Sequence, residues 1–476
     1  VIPLDLADLA AVVGGDLADA DEADRVVQTV TIDSRDAAPG ALFVPVPGES
    51  ADGHDFIADA VARGASGHLH ASSRGLSGEP GAVVVDDPAD ALLGLGAWVR
   101  DTVDPAVVAV TGSQGKTTTK DLIAVAVGAG LSTVAAPGSY NNDLGVPLTL
   151  CRLRADSRVL VTELGTRGIG HIARLAPIVR PDIAVVTAVG ASHLELLGDV
   201  DAVAEAKAEL VEALDPQGIA ILNADDPRVA AMAGRTAARS VSYGVTADAD
   251  WRAREVRFDD LARPAFTVEG PGGAAAEVRL AVVGAHNVSN ALAALAVAVE
   301  LGVPLADAAG ALSSALVSRW RMELIPTADG VLILNDAYNA NPASMRAALA
   351  TFTQMRVPGR RWAVLGQMGE LGASSVEAHL AVGRLAAAAD LGGLIVVGTA
   401  AEGIRTGAAQ DWGANAGALV AVADADAALA LLRARVVPGD AVLVKASRSI
   451  GLERLAAALV EEHGGASSSE AVGGGS

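Results

Sequence analysis

Between Val108 and Leu122 the chain reads VAVTGSQGKTTTKDL, residue types that suit a polyphosphate. Gly112 and Gly115 leave a loop free of bulky side chains, so backbone N–H groups can approach an anion. Lys116 can reach terminal phosphates, and Thr117 offers a hydroxyl to Mg²⁺. With Ser113 and Thr118 these residues form the candidate ATP site. The match is incomplete, because Val110 stands where the general P-loop pattern has its first glycine.

Three further residues could complete a metal-dependent site. Glu163 follows an apolar run and precedes Gly165 and Gly168, where a carboxylate beside a phosphate loop could hold Mg²⁺. His193 lies just past another such run, as a ligand or a structural histidine; its spacing matches no zinc pattern. Lys207 falls in the middle of an apolar stripe made by Val203, Leu210, Val211 and Leu214. Either its ammonium snorkels to water or burial gives it a lowered pKa and a use.

Polar residues at loop and helix starts extend the set. Asn141 and Asn142 occupy a turn, as ligand-binding amides or turn caps. Asn287 and Asn290 open a helix, as caps or contacts to a nucleotide. Asp336 ends a strand, where it could take a ribose hydroxyl. Lys445, Ser447 and Arg448 form a cationic strand end suited to a carboxylate. Arg319 and Arg321 stand at a seam from which a clamp over phosphates could originate, and Arg321, directly before Met-Glu, is favoured. Near the N-terminus, Ser34 and Arg35 suit a phosphate or uracil contact, or else Arg35 pairs with Asp33 or Asp36.

The elements that must position these residues are legible as alternation. Residues 26–32, 41–46 and 82–85 read as short strands of a small mixed α/β domain, 1–104, with a helix over 55–63. After Asp104-Pro105, strands at 106–110, 158–162, 183–189 and 218–223 alternate with helices, including 201–214 and 289–301. That pattern means βαβ units, a parallel sheet and ligands at strand C-termini. The central P-loop domain spans 105–317. A Rossmann-like C-terminal domain, 318–463, repeats the alternation with strands at 331–334, 362–365, 394–397 and 441–444, and reads as a second parallel α/β unit. It lacks G-x-G-x-x-G, so a dinucleotide redox cofactor is not supported. The Gly/Ser-rich tail, 464–476, reads as disordered.

Composition excludes other classes. The 476 residues give room for about three domains. A net charge of −22 argues against nucleic-acid binding, which needs a basic face. The apolar run from Ala291 stops at Glu300, too short for a membrane span, and Asp5 and Asp8 stand where a signal peptide would be basic. The lone Cys151, between Leu150 and Leu153, reads as a packed thiol.

Taken together, the chain resembles the Mur ligase family of ATP-dependent amide-forming ligases, from roughly Leu4 to Glu461. The runs that carry the resemblance are TGSQGKTTTK (Thr111–Lys120), YNNDLGVPLTL (Tyr140–Leu150), ELG (Glu163–Gly165), AKAEL (Ala206–Leu210) and GAHNVSNALAAL (Gly284–Leu295). They continue with NDAYNANPASM (Asn335–Met345), VLGQMGELG (Val364–Gly372) and VKASRS (Val444–Ser449). In the first domain, DSR (Asp33–Arg35) and PGESADGHDFI (Pro47–Ile57) look like a UDP-sugar-binding unit. NDAYNANP with GQMGELG is most similar to the branch that joins D-alanyl-D-alanine to UDP-N-acetylmuramoyl-tripeptide.

The resemblance implies a cytoplasmic enzyme, expected as a monomer, that uses ATP and Mg²⁺ and passes through an acyl phosphate. It implies that Lys116, Glu163, His193 and Lys207 are catalytic. Thr117, Glu163, His193 and a carbamylated Lys207 would hold the metal, and Asn287, Asn290, Arg321 and Asp336 the nucleotide. Ser34, Arg35, Asn141 and Asn142 would touch the UDP-muramoyl substrate. Asn339, Asn341, Ser447 and Arg448 would lie near the incoming dipeptide. Ala446 departs from the glycine usual in the KGSRS run. The rival readings are a sister ligase that adds a single amino acid and a P-loop switch or transport ATPase.

Overall fold

A computed structural model describes residues 1–48, 51–76, 78–191, 194–413 and 418–465. His193 and residues 466–476 of the tail lie outside the described residues. Sheets of five, nine and six strands follow one another along the chain, with a two-stranded ribbon at the start. No helix among the described residues is long and apolar enough to cross a membrane.

In the first sheet Thr29–Thr31, Ala41–Phe43, Gly67–Ala71 and Ala82–Val85 run parallel, and Asp16–Leu17 adds an antiparallel edge. Gly67–Ala71 is fully buried, yet its GHLHA sequence carries two histidines and does not read as a strand. The helix expected over 55–63 opens as a 3₁₀ turn, Gly53–Phe56, because Asp52 accepts the His54 N–H; the α-helix is Ile57–Ala62.

Helix Pro88–Val103 leads out of this unit, capped by Asp87, which accepts from the N–H groups of Ala89 and Asp90. Such a cap contributes about 1 kcal/mol. Its Leu92, Leu95 and Val99 share one apolar cluster with Val107, Leu150, Cys151 and Leu160 of the next unit. Asp104, left-handed at φ 51°, ends the helix and lets the chain turn into the central sheet.

There, Ala106–Thr111 lies between Val159–Glu163 and Ile183–Val186, all parallel. Buried on both faces, these strands are continuous apolar runs without alternation. Register sets Glu163 opposite Val110 and Val186 opposite Thr111, so the strand C-termini end together. Past Ile219–Asn223 and Arg239–Gly244 the sheet continues into Trp251–Phe258, then Pro264–Glu269 and Ala275–Arg279, which pair antiparallel. Helix His286–Glu300 begins before the expected 289 and buries Ala291 to Ala298 completely. Its small residues let it pack flush on the phosphate-loop helix Lys116–Gly128.

The third sheet is parallel from Leu332–Asn335 through Ala441–Lys445, Arg361–Leu365 and Gly393–Val397 to Ala418–Val422. Its edge corrects the all-parallel expectation. Glu323–Pro326 pairs antiparallel with Leu332–Asn335, because the short turn closed by Thr327 N–H on Val331 O permits only a hairpin.

Candidate functional site

The loop after Ala106–Thr111 is shaped by its glycines. Gly112 has φ 147°, and a Cβ there would stand 1.9 Å from Thr187 Oγ1. At Gly115, φ 77°, a Cβ would meet Asn290 Oδ1 at 2.7 Å. Gly112 thus supplies the close backbone approach, while Val110 is a fully buried strand residue. Helix Lys116–Gly128 starts with no side-chain cap, so its first-turn N–H groups remain available to an anion. Lys116 Nζ donates to Gly112 O at 2.8 Å and folds back over the loop.

A cavity of about 550 Å³ opens here. Ser113, Gly115, Lys116, Thr117 and Thr118 line it with Asn141, Asn142, Glu163, Asn287, Asn290, Arg321, Asp336, Asn339 and Asn341. Lys207, Ser34, Arg35, Ser447 and Arg448 are not on its wall.

Glu163 is completely buried. Oε2 accepts from Thr117 Oγ1 at 2.8 Å and Oε1 from Asn141 Nδ2 at 2.8 Å. Asn141 therefore orients the carboxylate. A hydroxyl and a carboxylate held in contact are hard oxygen donors of the kind Mg²⁺ takes. No cluster of three or more His, Cys, Asp or Glu suited to a metal occurs among the described residues, and His193 lies outside them.

Lys207 is 1 % exposed and makes no hydrogen bond or ion pair among the described residues. Desolvation pushes its pKa far below the ordinary lysine value; nearby Lys116 adds to the fall and Glu163 opposes it. The snorkelling alternative is thereby removed. Lys116 is lowered too, by desolvation first, with Glu163 opposing and Arg321 adding.

Arg321 crosses from the third unit. Its Nη2 donates to Thr117 Oγ1 at 3.1 Å and Ser139 Oγ at 2.8 Å, and the guanidinium stacks 3.9 Å from the Tyr338 ring centroid. Arg319 is exposed and forms no ion pair among the described residues, whereas Arg321 lies on the cavity wall. The segment is tethered where Ser318 N–H donates to Asp121 Oδ2 at 2.7 Å, and Asp121 pairs with buried Lys120.

Several of these residues have structural partners within the protein. Asp336 accepts from Met322 N–H and from Lys445 Nζ at 2.6 Å, a buried ion pair. Asn341 caps helix Pro342–Gln354 in a reciprocal capping box with Ser344. Asn339 Oδ1 accepts from the Ala340 N–H. Asn287 Nδ2 bonds Val283 O, and Asn290 Nδ2 bonds Asn287 Oδ1, each at 2.7 Å. Asn142 Oδ1 accepts from Gly145 N–H at 2.8 Å, the turn-capping role.

Away from the cavity, Ser34 is buried, and Arg35 pairs with Asp33 at 2.5 Å, holding that carboxyl down to about 2. Arg448 stacks 4.1 Å from the Trp320 ring centroid. Ala446 is accommodated because Gly366 lies opposite: a Cβ on Gly366 would stand 2.8 Å from that of Ala446. The sequence reading also missed Arg167 and His171 on the cavity wall, where His171 Nε2 lies 3.2 Å from Asp143 Oδ2. Their place in the run TRGIGH after Glu163 is the signal that could have found them.

Family models match in three consecutive pieces. The Mur ligase family catalytic domain matches residues 26–88, the Mur ligase middle domain 110–298, and the Mur ligase glutamate ligase domain 320–448. The chain belongs to the Mur ligase family. This Mur ligase is 44 % identical to the UDP-N-acetylmuramoyl-tripeptide–D-alanyl-D-alanine ligase of Mycobacterium tuberculosis strain H37Rv, over 97 % of this chain and 98 % of the relative. It is 36 % identical to the Escherichia coli K12 enzyme of the same name, over 97 % and 99 %. Among solved structures, MurF from Acinetobacter baumannii superposes with a TM-score of 0.84 at 33 % identity, covering 96 % of this chain and 99 % of that one. MurF from Thermotoga maritima in complex with ADP gives 0.77 at 28 % identity, over 92 % and 98 %.

Proposed function

We propose that this Mur ligase joins D-alanyl-D-alanine to UDP-N-acetylmuramoyl-tripeptide, converting ATP to ADP and phosphate, in the cytoplasm where those substrates meet. One observation carries the geometry: a single cavity unites the phosphate loop and Glu163 of the central unit with Arg321 and the wall of the third. The acceptor assignment is supported by relatives of that name aligned over nearly the whole of both chains. We assign 1–104 to the UDP-sugar substrate, with Ser34 and Arg35 on it. The central unit, 105–317, takes ATP, and 318–463 takes the nucleotide's far side and the dipeptide.

The tripeptide carboxylate is a poor electrophile. Its oxygen attacks the γ-phosphorus of ATP; the new O–P bond forms as the bond to the β-bridging oxygen breaks, and ADP leaves with that electron pair. The amine of the dipeptide then attacks the acyl carbon. The C–N bond forms, the C–O bond breaks, inorganic phosphate departs, and the amine's proton passes to solvent. Lys116, the uncapped start of helix Lys116–Gly128 and Arg321 neutralise charge on the phosphoryl oxygens. Thr117 and Glu163 would hold Mg²⁺, which when bound supplies further neutralisation there. Lys207, its pKa pushed down by burial, is suited to add as the free amine to CO₂, forming an N–C bond and releasing a proton; the resulting carbamate would serve as a metal ligand.

The test is isotopic. With ¹⁸O in the tripeptide carboxylate, one label must appear in the released phosphate. Phosphate free of label would exclude the acyl-phosphate route.

A further inference from the structure

Between Glu163 and helix His171–Val179 the chain reads LGTRGIG, a loop that reaches the cavity wall with Arg167. Its backbone is pinned along its length. Leu164 N–H donates to Val110 O and Gly165 N–H to Asn141 O, each at 2.8 Å, and Thr111 Oγ1 donates to Leu164 O at 2.8 Å. Thr166 Oγ1 closes the turn, donating to Gly168 O at 2.6 Å and accepting from Gly168 N–H at 3.2 Å. The far end is fastened by Glu209, whose carboxylate accepts from the N–H groups of Gly170 and Ala173.

Within that frame, Arg167 N–H donates to Nδ1 of His171 at 3.2 Å. The ring proton therefore sits on Nε2, which lies 3.2 Å from Asp143 Oδ2. Arg174 pairs with the other oxygen of that carboxylate. An aspartate, an imidazole and a backbone N–H thus run in series, and they fix the point from which the Arg167 side chain departs.

The Arg167 side chain is exposed on the cavity and makes no hydrogen bond or ion pair among the described residues. The other lysine and arginine side chains on that wall are engaged. Lys116 bonds Gly112 O, Arg321 bonds Thr117 and Ser139, and Lys445 bonds Asp336.

The reaction needs a further cation here. The acyl donor must bring an anionic carboxylate up to the γ-phosphate and beside Glu163, in a chain of net charge −22. Like charges repel at that range, and Lys116 and Arg321 are assigned to the phosphoryl oxygens. Arg167 follows Glu163 by four residues and carries the planar fork that matches a carboxylate. Asn141, which orients Glu163, is bonded to the same loop.

We propose that Arg167 binds the reacting carboxylate of the tripeptide substrate, and that His171 and Asp143 are positioning residues that fix its loop. The proposal rests on the reaction assigned above and names the residue that presents the acyl donor to ATP.

The test is calorimetric titration of the full chain with a nonhydrolysable ATP analogue and Mg²⁺ present. It compares UDP-N-acetylmuramoyl-tripeptide with the same molecule carrying a carboxamide at the reacting position. The parent is expected to bind the carboxylate tighter by about tenfold or more. Arg167→Gln should lose that preference, through a weaker Kd for the carboxylate and an unchanged Kd for the carboxamide, and Arg167→Lys should keep part of it. In Arg167→Gln the KM values for ATP and D-alanyl-D-alanine should stay within about twofold. His171→Gln, which can still accept from the Arg167 N–H and donate to Asp143, should match the parent, whereas His171→Leu should lose part of the preference. An unchanged Kd for the carboxylate in Arg167→Gln, an equal loss for carboxylate and carboxamide, or a loss confined to ATP would overturn the proposal. Should the parent not bind the tripeptide, the donor assignment fails, and the same comparison with the donor it does use decides the role of Arg167.

Discussion

Arg321 and Thr117 stand 204 residues apart in the chain and are joined by a hydrogen bond of 3.1 Å. The hydroxyl assigned to the metal is thus also the point where the third unit touches the phosphate loop. Tyr338 supports the guanidinium from one face, and Ser139 shares its Nη2. The third unit and the phosphate loop are therefore joined through the Arg321 side chain.

Arg321→Lys keeps the charge but loses the planar fork and the stacking on Tyr338. We expect kcat/KM for ATP to fall about 10- to 100-fold, equivalent to about 1.4–2.8 kcal/mol. Arg319→Lys, on an exposed side chain, is expected to stay within twofold in the same assay.

Lys207 carries a stability cost that can be measured. Its pKa is lowered in the folded state, so the unfolded chain binds more protons between that lowered value and the ordinary lysine value of about 10.4. Stability of the unmodified protein therefore rises with pH across that window. Lys207→Met removes the cost. We expect it to melt higher than the parent at neutral pH in CO₂-depleted buffer, by about 1–4 kcal/mol judged from buried-ion replacements. It should have no turnover. Lys207→Ala should also be inactive and should regain part of its activity with added short carboxylates. A parent without a carbamate on Lys207, together with no rescue, would sink the carbamate role.

The Asp336–Lys445 pair sits at the strand ends of the third sheet, with Lys445 1 % exposed. Asp336→Asn leaves that ammonium uncompensated, and we expect a loss of about 3–5 kcal/mol in denaturant unfolding. Asp336→Asn with Lys445→Met should recover most of it. Activity lost by the single variant would then report a broken pair rather than a missing ribose contact.

Cys151 is buried, and desolvation pushes its thiol up to about 12. The folded protein should resist alkylation by iodoacetamide at pH 8 and react once unfolded, as intact mass will show.

Residues whose placement follows from local sequence were legible. Lys116 and Thr117 open the helix that follows an apolar strand and its glycine loop, Glu163 ends a strand run, and Lys207 could be placed inside a helix stripe by period alone. Asn341 was legible too, because Asn-Pro-x-Ser before an apolar run is a cap signature; the ligand reading overlooked it. What stayed hidden depends on contacts distant in sequence. Lys445 reaches Asp336 across 109 residues, and Asn141 reaches Glu163 across 22. The compensation of Ala446 by Gly366 is likewise a matter of strand neighbours. Gly67–Ala71 escaped because its two histidines break the apolar pattern, although the sheet buries both.

The most direct measurement is phosphate release from ATP–Mg²⁺ with UDP-N-acetylmuramoyl-tripeptide, with and without D-alanyl-D-alanine. The account predicts release only when both substrates are present, and none when single amino acids replace the dipeptide. Release that ignores every acceptor, or turnover with a single amino acid, would contradict it.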